Sequence, residues 1–398
     1  MAELHGHCDA RFARVHDTLA SSIEAGKEIG ASLCVNIDGE NVIDLWGGWR
    51  DKEHTARWTQ DTIVAVFSAT KTVTSLAVLM LVDRGQLDLH APVARYWPEF
   101  AQNGKDKLLV RHLLSHTAGL PAWEPPFSMV QAMDVEASTA RLAAQAPWWE
   151  PGTRGSYHAS SFGHLNAELV RRVSGMTLSQ FIAREITGPL GASFYLGLSE
   201  EAQLARVATI YPAPEQGAFG VSKNPAHASA QLTVEREISA RTRLGSFSGM
   251  KRDPLALFNS PEWRRTEFGG SSGHTNAEGL GRIISALCLG GVSRGVRLLS
   301  PETIELIFLE QASGIDAYYM RPIRWGIGYA LASEEANSRG PVPFIRPGKK
   351  TCFWYGSGGA LAIADVERRI TYTYTMNQCQ AGRHSLNGVY YKAFYDSL

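Results

Sequence analysis

The chain has 398 residues, 44% hydrophobic and 20% charged, an ordinary globular mix with enough apolar material for one large domain or two lobes. Acidic and basic residues balance at 39 each and no long basic run stands out, which argues against nucleic acid or an anionic membrane surface as partner. No stretch reaches the roughly 18 uninterrupted apolar residues of a membrane span. The 5 scattered cysteines, with no Cys-x-x-Cys pair, suit reduced thiols in a cytoplasm.

The first residues have no apolar core of signal-peptide length, and His5, His7 and Cys8 read as a mobile tail rather than a metal site. Apolar positions at Phe12, Val15, Leu19 and Ile23 predict a helix over 11–25. Strands follow over 31–37 and 41–46, joined by the Asp38-Gly39 hairpin signal, and a third over 62–67 leads to Ser68. The helix after Ser68 is apolar all round, so it is buried, and Gly85 stops it. From Leu87 to about Pro254 prolines cut the chain into short helices and loops, with helices over 161–173 and 178–186 and an irregular loop over 211–224. Helices over 279–289 and 301–310, a strand over 325–331, a hairpin over 361–376 and a terminal helix over 387–395 complete the order. The ends of the chain form sheet and the middle is helical. The predicted fold is of the α+β type, an antiparallel sheet flanked by helices. Residues 1–70 and 275–398 build that part, residues 71–274 form a mostly helical insertion, and the active site falls in the cleft between.

Ser68 and Lys71 stand at i and i+3, on one face of the first helical turn. A hydroxyl beside an amine is what a serine nucleophile with a nearby proton acceptor needs. A Ser-x-x-Lys is weak alone, and Ser248-Gly-Met-Lys251 is a second copy. That copy lacks the strand and the buried helix and runs into Pro254, so Ser68 is the nucleophile of choice. Gly269-Gly-Ser-Ser-Gly273 matches the pattern of a nucleophile elbow, but neither the preceding strand nor a parallel α/β succession is present.

Four blocks occur in order: Ser68-Ala-Thr-Lys71, Val110 to Pro121, Pro151-Gly-Thr-Arg-Gly-Ser-Tyr157 and Trp354-Tyr-Gly-Ser-Gly-Gly359. Together they resemble the class C β-lactamases, the penicillin-recognising D-alanyl peptidases and, most nearly, the family VIII carboxylesterases. The resemblance runs from about Ala31 to Asn377. It implies that Tyr157 stands beside Ser68 and Lys71, so that either its phenolate or the lysine amine takes the serine proton. A nearby lysine is expected to lower the tyrosine pKa. The resemblance also implies an oxyanion hole from the N–H groups of Ser68 and Ser357. Trp354, Tyr355, Gly356 and Trp123 would contact substrate. The lactamase asparagine and lysine are replaced here by Ala159 and Trp354, which favours a small neutral ester over an anionic β-lactam. The implied function is a serine carboxylesterase acting through a Ser68 acyl-enzyme, without metal or organic cofactor. The alternatives are a β-lactamase, a D-amino-acid peptidase or amidase, an acyltransferase, or a non-catalytic binding protein on the same scaffold. His112 and His116 belong to a block that reads as structural.

Overall fold

The structure is a computed structural model that describes residues 3–213, 233–247, 254–335, 342, 344–346, 348–380 and 386–398. The chain opens with β1 (Leu4–Cys8), α1 (Ala13–Glu24) and the hairpin of β2 (Gly30–Ile37) and β3 (Glu40–Gly48). The two-residue strand β4 (Val64–Ala65) leads into α2 (Thr70–Asp83). The middle holds α3 (Val135–Ala144), α4 (Ser161–Ser174), β5 (Phe194–Tyr195), α5 (Thr233–Phe247) and β6 (His274–Thr275). The last third holds α6 (Ala277–Cys288), α7 (Pro301–Ile307), β7 (Ala312–Asp316), β8 (Arg321–Trp325), β9 (Ala330–Leu331), β10 (Thr351–Tyr355), β11 (Leu361–Asp365), β12 (Ile370–Met376) and α8 (Leu386–Tyr395).

Among the described residues nine strands form one sheet in the order β1-β3-β2-β12-β11-β10-β9-β8-β7, and every neighbouring pair is antiparallel. The sequence of β12 explains how a central strand is covered on both sides. Tyr372 packs on Tyr391 and Phe394 of α8, whereas Thr373 alternates to the other face and donates its hydroxyl to Ala277 O of α6. The small sheet β4-β6-β5 holds the entry to α2.

Helix α2 is buried from Thr70 to Leu81, so its polar side chains have to find partners inside the protein. They bind backbone of neighbouring loops: Thr74 Oγ1 donates to Gly269 O at 2.7 Å and Ser75 Oγ to Gly328 O at 2.8 Å. Gly85 ends the helix in the left-handed region, φ 67°.

Three local expectations change. Residues 4–8 are an edge strand paired with β3 from Leu4 to Cys8, not a tail, because strand pairing uses backbone N–H and C=O groups and does not need hydrophobic side chains. The run 62–67 supplies only two strand residues, and these join the small sheet rather than the large one. The run 325–331 is two strands around the turn Gly326-Ile-Gly328, where Gly328 has φ 83°. The predicted loop over 211–224 falls almost wholly outside the described residues, as does Ser248-Gly-Met-Lys251.

Candidate active site

Phe67, just before Ser68, has φ 46°, in the left-handed region that costs a bulky residue about 1–3 kcal/mol. Its ring is held edge-on by Phe258 at 5.3 Å. This bend turns the chain from β4 into a short 3₁₀ turn, Phe67–Ala69, that runs on into α2. Ser68 is left half-buried on the face it shares with fully buried Lys71.

Lys71 Nζ lies 3.3 Å from Ser68 Oγ, 2.9 Å from Ala159 O and 2.8 Å from Gly270 O. A neutral amine has two hydrogens and one lone pair. The two carbonyls accept both hydrogens, which leaves the lone pair toward the serine hydroxyl. Burial holds the Lys71 amine well below the usual lysine range. Among the described residues no carboxylate pairs with it. The arrangement therefore suits an uncharged base.

Tyr157 is also buried, and its ring faces Lys71 Nζ at 4.9 Å. Trp354 Nε1 donates to Tyr157 Oη at 3.2 Å. Burial pushes the Tyr157 hydroxyl well above the ordinary tyrosine range, although Ser68 and Trp354 pull it down. The expected lowering by lysine is thus overturned: desolvation of a phenolate dominates, and Lys71 is not among the groups that shift the tyrosine. Burial thus favours the protonated phenol of Tyr157 and the neutral amine of Lys71.

The end of β10 approaches from the other side. A Cβ on Gly356 would fall 2.1 Å from Val66 O, so only glycine allows β10 to close on the segment that precedes Ser68. Among the described residues the N–H of Ser357, the next residue, has no hydrogen-bond partner. Tyr355 is half-buried and shares a hydroxyl hydrogen bond with Tyr319.

Two expected substrate contacts have other duties. Trp123 is fully enclosed, stacked on Phe127 at 4.4 Å and edge-on to His164, and its indole N–H is spent on Ser138 O. It is a core side chain behind the site. Trp354 is 2% exposed and gives its N–H to Tyr157, so it acts on the tyrosine.

Gly269–Gly273 is no elbow, but it matters to the site. Gly269 O and Gly270 O bind Thr74 and Lys71, and Gly273 N donates to Thr70 Oγ1 at 3.0 Å. The site also contains Asp316, which sequence reasoning missed because the β7–β8 hairpin was not predicted. Its carboxylate accepts the Tyr157 N–H at 2.8 Å. His116, with φ 61°, accepts the next N–H, that of His158, at Nδ1. Burial keeps both His116 and His158 below the usual histidine range, consistent with neutral, packed rings.

A family model described as Beta-lactamase matches residues 15–391. The chain belongs to the beta-lactamase family. It is similar to "Esterase/beta-lactamase LipL" of Mycobacterium tuberculosis (strain ATCC 25618 / H37Rv), with 30% identity over 378 residues covering 94% of this chain and 82% of the relative. A solved structure of a family VIII carboxylesterase superposes with a TM-score of 0.86 at 32% identity, covering 100% of both chains. A penicillin-binding protein homolog from Caulobacter crescentus gives 0.85 at 33%, again over 100% of both chains. The beta-lactamase fold is thus shared along the whole chain, and within it the Ser68–Lys71 pair occupies the start of the buried helix.

Proposed function

We propose that the protein is a serine carboxylesterase that hydrolyses small neutral esters through an acyl-enzyme on Ser68. The observation that carries this reading is the buried Lys71 amine, which has no counter-ion among the described residues and lies within hydrogen-bond distance of Ser68 Oγ, Ala159 O and Gly270 O. Ser68 Oγ attacks the ester carbonyl as its proton passes to Lys71 Nζ. The N–H groups of Ser68 and Ser357 receive the oxyanion. Tyr157 gives its proton to the departing alkoxide and regains one from the Lys71 ammonium. Water then attacks the acyl group, the same two residues return a proton to Ser68, and the acid leaves. The similarity to a family VIII carboxylesterase supports the choice of ester over amide. So does Trp354, an indole in place of the cation that would hold a substrate carboxylate. Tyr355 and Gly356 border the acyl carbonyl in this reading. The five unpaired cysteines fit a reducing compartment such as the cytoplasm.

The test is turnover of a short-chain nitrophenyl ester and of a chromogenic cephalosporin by the wild type and by Ser68→Ala. Ester hydrolysis that is lost in Ser68→Ala supports the reading. Hydrolysis that survives the substitution, or a cephalosporin cleaved faster than the ester, overturns it.

A further inference from the structure

We propose that Asp316 is a positioning residue for this reaction, locking Tyr157 and the Tyr318–Tyr319 wall of the site into one unit. The inference rests on the reading of Tyr157 as the proton donor. Asp316 ends β7 and is 2% exposed. Its Oδ2 accepts the Tyr157 N–H at 2.8 Å and the Trp325 Nε1–H at 3.1 Å. Its Oδ1 accepts the N–H groups of Tyr318 and Tyr319, both at 3.0 Å. A carboxylate offers about four lone-pair directions. Here an N–H group fills each of them.

That saturation argues for a dedicated anchor. A buried carboxylate is costly to desolvate, and among the described residues no lysine or arginine forms an ion pair with Asp316. An asparagine would avoid the charge, but its amide nitrogen would face two N–H donors. Only a carboxylate accepts on both sides. Burial raises this carboxyl to about 7, so the charged form prevails in mildly alkaline solution.

What the carboxylate joins is the surroundings of the Tyr157 ring. Tyr319 stacks on that ring at 5.3 Å, Tyr318 meets it edge-on at 5.5 Å, and Trp325 lies parallel to it at 6.1 Å. The next N–H along the chain, that of His158, is taken by His116. Freeing the Tyr157 N–H leaves the loop held from one side only. A displacement of about 1 Å at a proton donor can cost on the order of a hundredfold in rate.

The experiment uses the full chain at about pH 8.5 and follows hydrolysis of an ethyl ester, whose departing alkoxide needs the Tyr157 proton, with Tyr157→Phe, Asp316→Asn and the double variant; a nitrophenyl ester serves only to count active sites. Rates are expressed per active site, titrated by the nitrophenolate burst. Asp316→Asn is expected to lower kcat at least about tenfold with KM changed less than about threefold, and the double variant to be no slower than Tyr157→Phe within about threefold. Asp316→Asn with wild-type kcat, or losses that multiply in the double variant, would overturn the inference while a crippled Tyr157→Phe upholds the role of the tyrosine. Tyr157→Phe at full rate overturns that role instead, whatever Asp316→Asn does. Should Asp316→Asn not fold, Asp316→Glu keeps the charge but moves the carboxyl by one methylene, and carries the same expectation and the same overturning result.

Discussion

In the proposed reaction Lys71 and Tyr157 divide the proton chemistry because burial acts on them in opposite senses. Desolvation penalises whichever form is charged, so the amine loses its proton readily and the phenol holds on to its own. A base has to be deprotonated to work, so activity falls as pH drops through the lowered Lys71 value. The acid limb of kcat/KM should therefore lie well below 10.5, the ordinary lysine value. Lys71→Met fills a similar volume without a lone pair, and kcat should fall on the order of 10²- to 10⁴-fold. A burst of acyl-enzyme as fast as that of the wild type in this variant would contradict the assignment. Trp354 gives a finer test. Its N–H stabilises the Tyr157 phenolate, which makes the tyrosine a better acid for the leaving alcohol. Trp354→Phe should slow ethyl ester hydrolysis about tenfold and barely touch nitrophenyl esters, whose leaving group needs no proton. Equal losses on both substrates would show that the indole does something else.

The partners of Lys71 depend on how two elements meet. Helix α4 presents Gly163 to the glycine loop so closely that a Cβ there would lie 2.2 Å from Gly270 N and 2.7 Å from Gly269 C. These are backbone atoms and cannot rotate away. Gly163→Ala has to push the loop outward and take Gly270 O from Lys71, in addition to an overpacking cost of about 1–3 kcal/mol. The expected outcome is a lower melting temperature together with reduced kcat; a variant that melts lower but turns over normally would separate the loop from the chemistry. This contact also marks a limit of sequence reading. Helices α1 and α6 are visible as periodic apolar positions, α2 as a run apolar all round, and the β2–β3 and β11–β12 hairpins as strand–turn–strand patterns. The glycine loop is visible only as a motif, one that matches an elbow pattern but lacks the elbow's context. Its service to Lys71 runs through backbone carbonyls, which leave no trace in residue identity. Likewise β7 and β8, with Ser313-Gly-Ile-Asp316 and Arg321-Pro-Ile-Arg324, mix polar and glycine residues. They are ordered by edge pairing and by Asp316, so no period-two signal announced them.

At the scale of the whole molecule the two ends of the chain are joined through a buried acid. Glu28 precedes β2 and is 1% exposed. Its Oε1 accepts the hydroxyl of Tyr374 on β12, the hydroxyl of Tyr390 on α8 at 3.2 Å and the Gln380 amide at 2.9 Å. Burial lifts the carboxyl to about 8, and these three donors only moderate the rise. In the unfolded chain the same group releases its proton near 4.5, the ordinary value. The folded protein therefore binds one more proton than the unfolded chain between those limits. The stability this contributes is complete below pH 4.5 and is lost as pH rises through about 8, at no more than about 1.4 kcal/mol per pH unit. Glu28→Gln removes the titration and keeps an acceptor for the tyrosine hydroxyls. Denaturant midpoints at about pH 5, 6.5 and 8 should fall more steeply for the wild type than for Glu28→Gln, because Asp44 and Asp316, also raised by burial, contribute equally to both. Parallel curves would mean that Glu28 is already ionised in the fold and that its three donors, rather than burial, decide its state.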